Sequence, residues 1–122
     1  MGVVHHSQYI IWFEVGRSSF LRNLGLSYAE VERAGRQLRI AEIGARYHAP
    51  ACYDQEVVVR TWLSELHSRS LTFSYAIVLP GDGGRAEQTL VTGFSKLICT
   101  DRAGQVHRLP EDLRGVLQVL AN

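Results

Sequence analysis

Six apolar or aromatic residues crowd one short segment near the start of the chain: Tyr9, Ile10, Ile11, Trp12, Phe13 and Val15. At helical spacing they fall on nearly every side of the axis, and a helix of that character is expected to be buried on most sides. It reads as running from Ser7, a suitable N-cap hydroxyl, to Leu24, with Gly25 where a C′ glycine belongs. A helix of that length spans about 27 Å. Gly16 in its middle costs about 1 kcal/mol relative to alanine, which predicts a close backbone approach at that point. The rest of the chain must wrap around this one element.

The remaining sequence supplies the wrapping. A short helix, Ser27 to Ala34, opens on the capping box Ser27-x-x-Glu30 and ends at Gly35. Beyond it the pattern turns strand-like. Leu38 to Tyr47 is a first strand, closed by Ala49-Pro50-Ala51. Glu56 to Leu66 is a second, with Val57, Val59, Thr61 and Leu63 on one face. In the third, Leu71, Phe73, Tyr75, Ile77 and Leu79 alternate with Thr72, Ser74, Ala76 and Val78, a period of two. His67-Ser68-Arg69 links the second and third. Gly81-Asp82-Gly83-Gly84 is a turn, and Ala86 to Thr100 is a long fourth strand. Asp101-Arg102-Ala103-Gly104 turns into a short run, Gln105 to Leu109. Pro110 at N1, backed by Glu111 and Asp112, opens a last helix carrying Leu113, Val116, Leu117 and Leu120. A long helix followed by a meander of four or five antiparallel strands implies an α+β fold. In it a curled antiparallel sheet wraps a central helix, as a single domain over residues 1–122.

Charge excludes some functions. Thirteen basic residues against twelve acidic give a net charge of +1, without the basic stripe a nucleic-acid partner needs. The two cysteines, Cys52 and Cys99, show no CxxC spacing, which fits a reduced, cytoplasmic setting. The apolar runs fall short of a membrane span, so no membrane insertion is expected. Gly93-Phe94-Ser95-Lys96-Leu97 approaches a serine nucleophile elbow, but Leu97 stands where glycine is required and the segment lies inside a strand. No phosphate-binding glycine loop occurs. His5 and His6 are adjacent and share no helix face, and no second pair sits at ligand spacing, so no metal site is expected.

One constellation remains: Gly2-Val3-Val4-His5-His6-x-x-Tyr9-x-x-Trp12-Phe13-Glu14-x-x-Arg17. Read structurally, Gly2 makes a turn, the aromatics are core, and Glu14 pairs with Arg17 at i, i+3. Read chemically, a glycine turn meeting a helix N-terminus presents oriented N–H groups that can polarise a carbonyl, as an oxyanion hole does. The segment resembles the D-x-x-G-V-V-x-H-x-x-Y-x-x-x-x-E-x-x-R signature of the 4-hydroxybenzoyl-CoA thioesterase family of hotdog-fold proteins. Within it, the likeness is nearest to the branch that includes the Tol-Pal-associated acyl-CoA thioesterase. Tyr47-His48-Ala49-Pro50-Ala51 with Asp54 resembles the family's Y-x-x-P-x-x-x-x-D turn. Ser68-Arg69-Ser70-Leu71-Thr72-Phe73 resembles the opening of its third strand, and Leu109-Pro110-Glu111-Asp112-Leu113 its closing I-P-x-x-[IL].

The resemblance implies a hotdog fold and hydrolysis of an acyl-CoA thioester to free acid and CoA. It implies a homodimer or homotetramer with the active site at the dimer interface. No metal or organic cofactor is implied, CoA being part of the substrate. Mapped by motif, the catalytic residues are His6, through its backbone N–H, and Glu14. Gly2, Val3, Val4, His5, Tyr9 and Arg17 line or brace the substrate site, Arg17 by steadying Glu14. Arg60, Arg69 and Lys96 are candidates for the CoA phosphates. The family's catalytic aspartate precedes the motif glycine by three residues, which would place it two residues before Met1. The family's first strand would lie upstream of that. The expectation is therefore a chain cut short at its N-terminus, with an aspartate encoded just ahead of Met1. The alternative is a non-catalytic hotdog protein that binds acyl-CoA or a partner. A hotdog dehydratase would need an Asp/His hydratase motif, which the sequence does not show. Tyr9, Trp12 and Phe13 would suit a flat acyl group and would equally suit an ordinary core.

Overall fold

The first helix, α1 (His6–Asn23), lies across a single antiparallel sheet, against β2 and the middle strands β3 and β4. After the short α2 (Tyr28–Arg33) come β1 (Gln37–Tyr47), β2 (Val58–Leu66), β3 (Ser70–Leu79), β4 (Gln88–Thr100) and the closing helix α3 (Glu111–Ala121). The computed structural model describes residues 6–23, 25, 28–50 and 56–121, without the side chains of His6, Ser7, Tyr28, Glu30, Leu120 and Ala121. The sheet order is β1-β4-β3-β2. The expected Ser27–Glu30 capping box, Cys52 and Asp54 lie outside what is described.

Several sequence expectations hold with small shifts. α1 begins at His6, one residue before the expected cap at Ser7, and Gly25 takes φ +76° with its N–H on the Arg22 carbonyl at 3.0 Å. The Asp82–Arg85 bridge encloses Gly83 and Gly84, both with positive φ. That is the two-residue hairpin geometry that matches strand twist and that two glycines adopt without strain. Pro110 sits one place earlier than expected: its carbonyl accepts the first helical bond, from Arg114 N–H at 2.9 Å, which makes it the N-cap of α3. The run Gln105–Leu109 is no fifth strand; it makes one isolated bridge, Thr100 to Val106.

Burial corrects the picture further. α1 is not buried on most sides in the single chain: Phe13 is 2% exposed, but Ile11 and Val15 are 49% and 55% exposed on its outer face. In α3, Leu113 and Leu117 are buried while Val116 faces solvent. In β3 the inward alternation holds from Leu71 to Ile77 and then breaks, with Val78 buried and Leu79 only half-buried. The break sits where one extra residue, Leu90, bulges from β4. Two more single-residue bulges occur, at Ala41 in β1 and Ser64 in β2. A bulge bends its strand and strengthens the local twist, so three of them curl the sheet around α1. The Ser64 hydroxyl donates to the Thr72 carbonyl at 3.1 Å across its own bulge.

Two glycines let helix and sheet meet. A Cβ on Gly16 would lie 2.3 Å from Thr61 Oγ1 and 2.9 Å from Val59 Cγ1; one on Gly93 would lie 2.5 Å from the Phe13 ring. The close approach anticipated at Gly16 is thus the contact of α1 with β2. Substitution Gly16→Ala is expected to cost about 1–3 kcal/mol through overpacking, despite the better helix propensity of alanine. Adding Thr61→Ala should recover part of that loss. Denaturant unfolding of the three variants checks both statements; a stabilised Gly16→Ala would contradict them.

Candidate active site

The motif residues fall in one region only in part. Gly2, Val3, Val4 and His5 lie outside the described residues. His6 is the first residue of α1, and the opening N–H groups of a helix have no partner within it. No acidic side chain stands in that first turn, so none within the helix offsets the positive end of its dipole.

One turn on, Tyr9 is 3% exposed. Its ring meets Trp12 edge-on at 5.4 Å and Tyr47 of β1 at 5.4 Å. This ties the start of α1 to the end of β1, where Tyr47 is 49% exposed. His48, just beyond, hydrogen-bonds the Thr92 hydroxyl at 3.0 Å. Tyr9 is therefore a core residue at the edge of the site, and Tyr47 is the aromatic that reaches its surface. Beyond its place in the loop motif, no local pattern singled out Tyr47.

Glu14 and Arg17 separate. No ion pair joins them; among the described residues Arg60 pairs with Glu87, and the His67 ring lies 3.9 Å from the Glu65 carboxylate. Glu14 is exposed. Arg17 turns inward and donates to the Ser95 hydroxyl at 3.4 Å, and Ser95 in turn shares a 2.5 Å hydrogen bond with the Tyr75 hydroxyl. Arg17 thus braces a buried hydroxyl pair rather than Glu14. The reason is position: one step round the helix from Gly16, which touches β2, the Arg17 side chain lies over β4. Ser95 is 1% and Tyr75 0% exposed, and the Tyr75 ring stacks on Phe13 at 4.6 Å. A serine on an inward face otherwise made of Val91, Leu97 and Cys99 was the available signal for this network.

Burial raises the Tyr75 hydroxyl above the usual tyrosine pKa, with Ser95 and Arg17 pulling the other way. Above about pH 10 the unfolded chain releases this proton and the folded chain retains it, so stability falls as pH rises. Tyr75→Phe should cost about 1–2 kcal/mol at neutral pH through the lost hydrogen bond. It should also make the decline between pH 9 and about 11 shallower than in the parent. Equal slopes in pH-dependent unfolding would refute the assignment.

The three CoA-phosphate candidates are not brought together. Arg60 is tied to Glu87 through both guanidinium nitrogens. Lys96 lies in mid-sheet directly opposite Glu42 and is half-buried. Arg69 is exposed in the β2–β3 turn, where its carbonyl accepts from Cys99 N–H. No group of three metal-ligating side chains forms among the described residues. None of the described helices is long and apolar enough to cross a membrane.

One long helix held against a curled four-stranded antiparallel sheet, with a short helix after it and a closing helix at the end, defines a hotdog-fold domain of the thioesterase class. The chain belongs to the thioesterase-like superfamily, whose family model matches residues 1–117. It is 28% identical over 101 residues to the acyl-CoA thioester hydrolase YbgC of Escherichia coli, covering 82% of this chain and 71% of that one. Among solved structures, the protein TT1821 of Thermus thermophilus is 39% identical with a TM-score of 0.85, over 98% of this chain and 86% of that one. A DHNA-CoA thioesterase from Staphylococcus aureus is 27% identical with a TM-score of 0.84, over 98% and 79%.

Proposed function

We propose that this chain is an acyl-CoA thioesterase, acting as a homodimer in the cytoplasm without metal or organic cofactor. The observation that carries the reading is the start of α1. Its opening N–H groups, His6 first, stand about one turn ahead of the Tyr9–Tyr47 contact, in a chain of thioesterase family. A thioester carbonyl placed there gains hydrogen bonds as its oxygen becomes negative, which lowers the barrier to attack. Water adds to the carbonyl carbon, the C–S bond breaks, and the CoA thiolate leaves and takes up a proton. Gly2, Val3, Val4 and His5 would shape the turn ahead of the helix. Of the three cations we favour Arg69 for a CoA phosphate, because it is exposed and has no ion pair among the described residues, whereas Arg60 is paired with Glu87 and Lys96 is half-buried.

Attack needs a carboxylate. Glu14 is the only one in α1, but at 1.5 Å per residue it lies about 12 Å along the axis from His6. It suits polarising the pocket better than taking the proton of the attacking water. That task falls to the aspartate expected ahead of Gly2. The same distance favours a second reading, an acyl-CoA-binding protein without turnover, should no such aspartate be encoded. Dimerisation is supported by β1, an edge strand of eleven residues whose side chains are mostly exposed. Its open backbone is a template for a second copy.

Free-thiol release from a panel of acyl-CoAs tests the reading, run on this chain and on a form extended by Asp and one further residue before Met1. Release is expected from the extended form, at least about 100-fold faster than from the shorter one, and unchanged by a chelator. Glu14→Gln in the extended form should lower kcat/KM by about tenfold. No release from either form ends the enzyme reading.

A further inference from the structure

The outer face of the sheet, turned away from α1, carries a pattern that the thioester chemistry does not use. Register sets it in rows across the strands. In one row Gly44, Phe94, Ser74 and Trp62 stand side by side on β1, β4, β3 and β2. In the next row stand Arg46, Thr92, Ala76 and Arg60. Their neighbours along the strands, Ser95, Gly93 and Tyr75, meet α1 on the inward face, so alternation turns both rows outward. Between them lies an open cleft of about 540 Å³, lined by Trp62, Phe94, Ser74, Thr92 and Arg46, a volume in the range of small-molecule sites.

The cleft exists because small and aromatic residues alternate along the first row. The Phe94 ring leans over Gly44, where a Cβ would lie 2.3 Å from the ring edge. Trp62, on the far side of Ser74, is 46% exposed. Phe94 and Trp62 stand two strands apart, about 10 Å, with only a serine hydroxyl between them, and that hydroxyl donates to Ser64 at 2.8 Å. A flat ring set over Ser74 would lie about 5 Å from each aromatic, within the range of aromatic pairs.

The second row adds charge. Arg60 is held by Glu87. Arg46, at the rim of the cleft, is exposed and has no ion pair among the described residues. On its own strand face the next acid is Glu42, about 14 Å away, and that carboxylate stands beside Lys96. Directly opposite Arg46 is Thr92, whose hydroxyl hydrogen-bonds His48 Nε2 at 3.0 Å. A guanidinium with no acid beside it favours a carboxylate, which it can bind through two parallel N–H groups.

We propose that this outer cleft is a second binding site, separate from the thioester site, for a small flat aromatic carboxylate. The ring lies between Trp62 and Phe94 and the carboxylate meets Arg46. Arg46 and Ser74 are about 12 Å apart between Cα positions, a span that an extended arginine and an aryl carboxylate cover together. Pairing of a second copy at the edge of β1 uses the backbone of that strand and leaves its outward side chains free.

Calorimetric titration of this chain with cinnamate tests the proposal. Cinnamamide keeps the ring and lacks the charge; cyclohexylacrylate keeps the charge and lacks the flat ring. Cinnamate should bind about tenfold tighter than either. Arg46→Gln should weaken cinnamate about tenfold, with Arg46→Lys recovering part of the loss. Trp62→Ala should weaken it by a similar factor. Absence of binding overturns the proposal, as does equal affinity for the three probes. Binding that neither substitution weakens puts the ligand on the α1 side and overturns it too. A fall in solution mass on Trp62→Ala, measured by light scattering, would give this face to a second copy instead. Thiol release does not enter the test, so failure of the enzyme reading leaves this one standing.

Discussion

The Phe13 ring lies flat on Tyr75 because Gly93 carries no Cβ. That contact sets how deep α1 sits in the sheet, and the rest follows from the depth. One step round the helix, Gly16 closes onto Thr61 and Val59 of β2. On the other side Arg17 reaches the Ser95 hydroxyl. A helix pressed this closely to β2, β3 and β4 leaves the inward face of β1 partly exposed at Ile40, Ile43 and Tyr47. The Tyr9–Tyr47 contact then ties the start of α1 to the end of β1.

The polar chain beneath the helix carries an energetic cost of its own. Tyr75 and Ser95 are buried donors and acceptors that satisfy each other, and such a pair is costly only when one member is removed. Thr61 Oγ1 is the counter-example: it is buried against Gly16 with no hydrogen-bond partner. The α1–β2 contact is therefore made at some cost in polar satisfaction, whereas the α1–β4 contact gains a bonded network.

Much of this architecture was legible beforehand because it rests on local periodicity. The alternation through Leu71–Ile77, the glycine turn at Gly83–Gly84 and the glycine in mid-helix each report one local requirement, and each found its place. Three things did not read out. The bulges at Ala41, Ser64 and Leu90 depend on the partner strand, so the shift from Leu79 to Val78 had no local sign. The exposure of Ile11 and Val15 depends on the sheet reaching only part-way round α1. Arg17 abandons Glu14 because a buried serine lies within reach across the fold, and spacing along one helix carries no information about that. The hotdog family likeness supplied the chemical role of the helix start, which periodicity alone does not give.

The strand order has a consequence for how the molecule is made. Among the described residues β1 is the first strand, yet its hydrogen-bond partner is β4, the last, with Gln37 opposite Thr100. A chain emerging from the ribosome can form the β2–β3 hairpin early, but β1 must wait, unpaired, until nearly the whole sequence has been synthesised. Such long-range pairing slows folding and leaves an open strand edge exposed in the interval. β1 is thus the last of the described strands to join the sheet, and until then a nascent chain presents Ile40 and Ile43 on an open strand.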